Sequence, residues 1–246
     1  MVQIFGRTDE LELLRKRLAS RKSMLVHGPS GVGKTLLLQQ AVSDFVDVLN
    51  CPASSSPQAV CRSLAELLAA RHDATILRLS KGRPDALTGK SFVSLKGIVS
   101  SALRAGNYLV VLDHLNRPSA ALGAFIGEIM LSCTTPVIAV ARSAHMEDAG
   151  SVLPMLPDRS ERLAIRNFDS ETAKTFALEL CSRHQLSGEN LENVIDSMVK
   201  SSEGNPGALL RMVSMAKQSK YRSDDHIKWS PLYIDFLLKW ASESAL

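Results

Sequence analysis

Short, mostly apolar runs alternate with amphipathic stretches along the first two thirds of this chain. Such runs are typical of buried parallel strands, and they occur at 24–28, 47–50, 108–113, 136–141 and 162–165. Between them, apolar residues recur at helical spacing, at about 8–20, 33–45, 58–70, 91–105 and 118–133. Strands that alternate with helices in this way predict an α/β fold with a parallel sheet flanked by helices.

The pattern changes at Ser170, after which no strand is predicted. Three helical stretches follow, at 170–184, 189–201 and 206–218. The last residues carry an apolar stripe at helical spacing, made of Leu232, Tyr233, Phe236, Leu237 and Trp240, which is typical of core or of a docking surface. The sequence therefore predicts an α/β domain over 1–168, a small all-helical lid domain over 169–219 and an aromatic C-terminal tail over 220–246.

A glycine-rich segment separates the first predicted strand from the helix that follows it. It reads Gly28-Pro29-Ser30-Gly31-Val32-Gly33-Lys34-Thr35 and fits the pattern G-x-x-x-x-G-K-[ST] at every position. Glycines let successive backbone N–H groups face phosphate oxygens, and the helix adds the positive end of its dipole. We expect Lys34 to reach the β- and γ-phosphates of ATP and the Thr35 hydroxyl to hold Mg²⁺. Leu36 completes the predicted nucleotide-binding segment.

Asp113 closes the apolar run 108–113. A charge that ends a buried strand is costly unless it has a partner, and ligands of open α/β sheets bind at the carboxyl ends of the strands. We therefore expect Asp113 to face the same edge as the glycine-rich segment.

Composition and charge limit which partners and which cellular compartment are expected for the chain. The net charge of +4 and the pI of about 8.9 permit contact with nucleic acid without requiring it. The four cysteines lack metal-ligand spacing, so a reducing, cytoplasmic compartment is expected. The first residues do not resemble a signal peptide. No run reaches the roughly 18 apolar residues of a membrane span, so none is expected.

Five boxes occur in a fixed order: Phe5-Gly6-Arg7, the glycine-rich segment, Val110-Val111-Leu112-Asp113, Val140-Ala141-Arg142-Ser143 and Gly204-Asn205-Pro206. Over about residues 4–218 this set resembles a P-loop ATPase of the AAA+ or closely related STAND type. The resemblance implies a parallel sheet of the P-loop NTPase type, flanked by helices and followed by a small all-helical lid. The group includes origin-recognition and transposition ATPases as well as signalling NTPases. The resemblance implies an ATP-dependent switch or assembly protein that forms homo-oligomers, with DNA or a protein as its partner.

The resemblance also assigns roles to individual residues. It implies that Phe5, Gly6 and Arg7 form the pocket for the adenine and the nearer phosphates, and that Asp113 orients Mg²⁺ through water. It further implies that Arg142 senses the γ-phosphate, that Pro206 packs on the base and that Arg211 is a second sensor. An arginine finger is implied for Arg159 or Arg162, with Arg159 favoured.

One residue departs from the family pattern. These ATPases usually have a glutamate after the acid at the Asp113 position, where it polarises the attacking water, and this chain has His114. Phosphoryl transfer depends mainly on positioning and charge, so we expect firm ATP binding with slow or partner-stimulated hydrolysis. A binding-only module stabilised by its nucleotide and a small-molecule kinase are the alternative functions.

Overall fold

A computed structural model describes residues 4–52, 56–83, 87 and 89–244. The chain forms two compact units. The sheet unit consists of Asp9–Gly28 and Lys34–Ala164, and the helical unit of Met1–Thr8, Pro29–Gly33 and Ile165–Leu246. The glycine-rich segment is therefore shared, since its middle residues belong to the helical unit.

The described residues of the sheet unit form five parallel strands. They are β1 (Met24–His27), β2 (Val48–Cys51), β3 (Leu109–Leu115), β4 (Val137–Ala141) and β5 (Arg162–Ala164). Their spatial order is β2-β3-β4-β1-β5. This confirms the predicted parallel sheet of the P-loop NTPase type, and it makes β3, β4 and β1 direct neighbours.

Seven helices accompany these strands in the described part of the sheet unit. They are α1 (Thr8–Ala19), α2 (Lys34–Val42), α3 (Pro57–Ala70), α4 (Ala74–Leu79), α5 (Phe92–Ala105), α6 (Ala120–Gly127) and α7 (Met146–Ala149). Polar side chains cap several of them at the N-terminus, as Ser56 does for α3 and Ser91 for α5. The predicted helix over 118–133 is α-helical only to Gly127, and it ends in a π-helical turn at Glu128–Ser132.

Apolar side chains from strands and helices form one core in the sheet unit. Every residue of β4 is buried, and so is every residue of β3 except His114, because helices cover both faces of the sheet. Cys51, Cys61 and Cys133 lie in this core, and Cys181 lies in that of the helical unit. All four are free thiols, and burial raises the pKa of Cys51, Cys61 and Cys181 to about 11.

The helical unit contains α8 (Ser170–Arg183), α9 (Leu191–Ser202), α10 (Pro206–Ala216) and α11 (Trp229–Ser244). The prediction that strands stop at Ser170 is wrong in one detail. Two antiparallel strands, β6 (Arg222–Ser223) and β7 (His226–Ile227), form a hairpin before α11. Two-residue strands are too short to show an alternating pattern in the sequence.

The predicted C-terminal tail is thus a hairpin followed by a 16-residue helix. Leu232 and Phe236 are buried in the core that α8, α9 and α10 share. Leu237, in the same predicted stripe, is 46% exposed, so the stripe is only partly core. Among the described residues, none of the helices is long and apolar enough to cross a membrane.

Candidate functional site

The glycine-rich segment connects β1 to α2, and two of its glycines have left-handed backbone. Gly31 has φ +78° and Gly33 has φ +95°, conformations that residues with a Cβ rarely adopt. A Cβ on Gly33 would meet nothing within 4 Å. Backbone conformation, and not crowding, therefore requires glycine at this position, as expected for a loop that presents its N–H groups to an anion.

Three predicted parts of the site, one segment and two single residues, lie at one edge of the sheet. The glycine-rich segment follows β1, Arg142 follows β4, and Asp113 lies near the end of β3. The strands are neighbours in register, with His27 beside Ala141 and Leu115 beside Ala141. This is the carboxyl edge, where parallel α/β sheets bind their ligands.

Lys34 is the first residue of α2. Its ammonium donates a hydrogen bond of 2.7 Å to the Gly28 carbonyl oxygen. Burial lowers the pKa of Lys34, the nearby Asp113 carboxylate opposes that shift, and the Arg142 guanidinium adds to it. A phosphate would offset both the desolvation of this ammonium and its repulsion by Arg142.

Asp113 is buried, with 4% of its surface exposed. Its Oδ1 accepts a 2.8 Å hydrogen bond from the backbone N–H of His114. A buried carboxylate is costly without compensating partners. The donor set at this edge, the Asp113 carboxylate and the Thr35 hydroxyl, consists of the hard oxygen ligands that Mg²⁺ prefers.

His114 lies on the surface beside Asp113. The pairing of β3 with β4 is irregular between Leu112 and Leu115, and His114 has φ +55° within this bulge. Its side chain is 69% exposed, with Nε2 at 3.7 Å from Asp113 Oδ2. The bulge therefore directs this imidazole into solvent instead of into the core of the sheet unit.

The two arginine-finger candidates differ in their surroundings. The Arg162 guanidinium donates to the Leu156 carbonyl oxygen through Nε and Nη2, at 3.2 and 2.9 Å. Arg159 is exposed, in a short helical turn that Asp158 caps. Arg159 thus remains the better candidate to reach a neighbouring protomer, which is still a prediction.

The Phe5-Gly6-Arg7 box belongs to the helical unit. Phe5 packs against Phe168 and Phe176. The buried Arg7 guanidinium stacks over the Phe168 ring at 4.5 Å and lies 3.5 Å from the Val32 carbonyl oxygen, to which it donates. Arg7 therefore contacts the backbone of the glycine-rich segment directly, a contact that its expected role as a phosphate-pocket residue did not include.

Asn205 and Gly207 are contact residues that the sequence analysis did not assign. Both donate hydrogen bonds to backbone carbonyls of the glycine-rich segment, at Ser30 and Gly31 respectively. Pro206 lies between them as the first residue of α10 and is half-buried, and Arg211 follows on the same helix. The one sequence signal for this contact was the Asn-Pro pair, which is typical of a helix start.

His27 ends β1, next to Gly28, and its environment predicts how the stability of the chain depends on pH. Burial is the main cause that lowers its pKa, and the positive charges of Arg162 and Lys34 add to the effect. The unfolded chain therefore takes up a proton near pH 6.5 that the folded chain does not. The free energy of unfolding should fall as pH decreases below that value, by at most about 1.4 kcal/mol per pH unit from this group.

His27→Gln should weaken this dependence. We expect a shallower loss of stability between pH 7 and pH 5 than in the wild type, measured by urea unfolding at each pH. An unchanged slope would contradict the assignment of the effect to His27.

The first 130 or so residues match a known family. The model of the AAA ATPase domain matches residues 3–132, slightly more than half of the chain. No curated protein sequence matches the chain.

Solved structures share the fold at low sequence identity. The Walker-type ATPase PABY2304 of Pyrococcus abyssi has a TM-score of 0.63 at 16% identity, over 98% of this chain and 75% of that one. The Aeropyrum pernix ORC1 protein, solved in complex with DNA, has a TM-score of 0.62 at 18% identity, over 97% and 66%.

A third similar structure belongs to a signalling ATPase. It is the STAND protein PH0952 of Pyrococcus horikoshii, which carries a tetratricopeptide repeat sensor. The TM-score is 0.53 at 14% identity, over 97% of this chain and 33% of that one. The present chain thus spans one third of that protein's length, and the similarity concerns the fold alone.

Proposed function

This chain belongs to the AAA ATPase domain family, and from that premise we propose that it is a Mg²⁺-dependent ATP-binding switch with slow intrinsic hydrolysis. The observation that carries the proposal is the sheet edge itself. There the glycine-rich segment begins at Gly28, the Lys34 ammonium is partly desolvated, and the Asp113 carboxylate is buried. An ammonium and a carboxylate at one edge suit a polyphosphate bound together with a cation.

Each residue has a defined task in this proposal. Backbone N–H groups of residues 31–35 bind the phosphates, and Lys34 neutralises charge on the β- and γ-phosphates. The Thr35 hydroxyl and the Asp113 carboxylate would hold Mg²⁺, which when bound would neutralise charge on the phosphates. Arg142 follows β4 and affects the pKa of Lys34, which supports its proposed role as γ-phosphate sensor.

Calorimetric titration of the protein with ATP tests the proposal, with and without Mg²⁺. We expect saturable binding of one ATP per chain, stronger when Mg²⁺ is present. Absence of saturable binding to folded protein would contradict it.

Hydrolysis is a separate prediction that depends on His114. An exposed imidazole 3.7 Å from Asp113 replaces the glutamate of the family pattern, so we expect a low steady-state rate of phosphate release. His114→Glu should raise that rate at least about tenfold, since a positioned general base typically contributes two or more orders of magnitude. ATP affinity should change little.

His114→Gln is the matched control, because it removes the imidazole without adding a carboxylate. We expect its turnover to stay at or below the wild-type rate. Fast turnover of the wild type without any partner would contradict the proposed slow hydrolysis.

The exposure of His114 also favours a second function, a binding-only module in which the nucleotide stabilises the fold. ATP with Mg²⁺ would then raise the melting temperature without turnover under any condition. Turnover in His114→Glu but not in the wild type would indicate a site that binds well and lacks only its base.

Partners form the remaining part of the proposal. One similar structure was solved with DNA and another carries a protein-repeat sensor, so both partner classes fit the fold. We propose that ATP promotes homo-oligomers in which Arg159 reaches a neighbour. Size-exclusion chromatography with a non-hydrolysable ATP analogue tests assembly. A salt titration of DNA binding tests the DNA partner, because contacts to DNA phosphates make the affinity fall steeply as the salt concentration rises.

A further inference from the structure

Asn205 joins helix α10 to the glycine-rich segment. It is 7% exposed and forms the N-cap of α10, where its Oδ1 accepts a 3.1 Å hydrogen bond from the Ala208 N–H. Its Nδ2 donates to the Ser30 carbonyl oxygen at 2.9 Å and to Asn167 Oδ1 at 3.2 Å. One side chain thus begins the helix and holds the loop at the same time.

Gly207 makes a second contact of the same kind through its backbone. Its N–H donates to the Gly31 carbonyl oxygen at 2.9 Å. A Cβ on Gly207 would lie 2.8 Å from that oxygen and 2.9 Å from Gly31 Cα, and a Cβ on Gly31 would lie 2.7 Å from Asn205 Oδ1. The loop backbone therefore leaves no room for a Cβ on Gly207, and Gly31 combines a φ of +78° with a close approach of the Asn205 side chain.

These contacts fix the orientation of two peptide groups. In a planar trans peptide the C=O and the following N–H point in opposite directions. A donor that holds the Ser30 carbonyl therefore turns the Gly31 N–H away from α10, and a donor that holds the Gly31 carbonyl does the same for the Val32 N–H. Both N–H groups belong to the loop that is proposed to bind phosphate.

We propose that the Asn205 amide and the Gly207 N–H are positioning groups that hold the Gly31 and Val32 amides ready for a nucleoside polyphosphate. This inference rests on the proposed ATP binding. Preorganisation of this kind reduces the ordering cost of binding. The positioned amides contact only the phosphates of the ligand and not its base. A loss of positioning should therefore weaken the binding of phosphate-bearing ligands specifically, whereas a general loss of stability should not.

Asn205→Ser tests the inference with the helix cap preserved. Serine is as good an N-cap as asparagine, but its shorter side chain does not reach the Ser30 carbonyl. We expect the affinities for ATP and ADP to fall about tenfold, the effect of losing roughly one hydrogen bond. The affinity for adenosine, which has no phosphate, should stay within about twofold of the wild type.

Asn190 provides a matched control in the same unit. Its Nδ2 and Oδ1 bond the carbonyl and the N–H of Ile227, each at 2.9 Å, far in sequence from the loop. Asn190→Ser loses comparable hydrogen bonds, so it should lower the melting temperature without changing the ratio of ATP to adenosine affinity. An unchanged ratio in Asn205→Ser as well would overturn the inference.

Asn205→Asp is a second variant, for the case in which the serine variant does not fold, because aspartate has nearly the same shape as asparagine. Its carboxylate still caps α10 but faces the Ser30 carbonyl without a donor, and we expect at least the same loss of ATP affinity. Wild-type affinity in this variant would also overturn the inference.

Hydrogen exchange in nucleotide-free protein separates this inference from the proposed function. Amide exchange over residues 30–34 should be about tenfold faster in Asn205→Ser than in the wild type, and unchanged in Asn190→Ser. Failure of the wild type to bind ATP would contradict the proposed function. Equal exchange in wild type and Asn205→Ser would contradict the positioning role.

Discussion

Lys34→Ala should weaken ATP binding roughly a hundredfold. A hydrogen bond to a charged group contributes about 1.5–3 kcal/mol, and 1.4 kcal/mol corresponds to a tenfold change in affinity. Burial lowers the pKa of this ammonium, so its charge is costly in the nucleotide-free chain and a bound phosphate would offset that cost. We therefore expect the loss in binding without a matching loss of stability, measured by calorimetric titration with ATP and Mg²⁺ and by thermal unfolding.

Lys22→Ala is the control for the removal of one positive charge. Lys22 is exposed and belongs to the same unit, ahead of β1, so its loss should change ATP affinity by less than about twofold in the screened environment of the surface. An equal effect of the two substitutions would mean that net charge, and not a contact of Lys34, accounts for binding.

Gly204→Ala should produce the largest loss of stability. Gly204 has φ +75°, and a Cβ there would lie 2.0 Å from the Phe168 carbonyl oxygen. The Phe168 N–H also donates to the Gly204 carbonyl at 2.9 Å, so the backbone cannot move without breaking this bond. The left-handed conformation costs about 1–2 kcal/mol, and the forced displacement adds about 1–3 kcal/mol. We expect a total loss of about 4 kcal/mol in urea unfolding.

Gly82→Ala isolates the conformational part of that loss. Gly82 has nearly the same φ, +72°, but a Cβ there meets nothing within 4 Å. Its cost should be about 1 kcal/mol. If both variants lost the same stability, the close approach of Gly204 to Phe168 would have no energetic consequence.

Local signals in the sequence predicted most of the sheet unit. The strands β1, β3 and β4 each contain a short, mostly apolar run, and a run of that length between turn signals favours a strand over a helix. The glycine-rich segment and Asp113 were assigned because their residue types are needed for one chemistry and are costly otherwise. The strand order β2-β3-β4-β1-β5 then brought these segments to one edge.

Features that depend on long-range contacts could not be predicted in this way. Nothing near Asn205 indicates that its amide bonds Ser30, 175 residues away. The exposure of Leu237 depends on which face of α11 packs against the other helices of the helical unit. A stripe of apolar residues in the sequence does not specify that face. The bulge at His114 likewise arises from the pairing of β3 with β4, which lies outside any local pattern.

The central claim is that this chain binds ATP through the segment Gly28–Thr35. Calorimetric titration of the folded wild type with ATP in the presence of Mg²⁺ measures it most directly, with Lys34→Ala titrated in parallel. The account predicts saturable binding at one ATP per chain in the wild type and an affinity about a hundredfold lower in the variant. Wild-type protein that is folded but shows no saturable binding, or equal binding by both proteins, would contradict it.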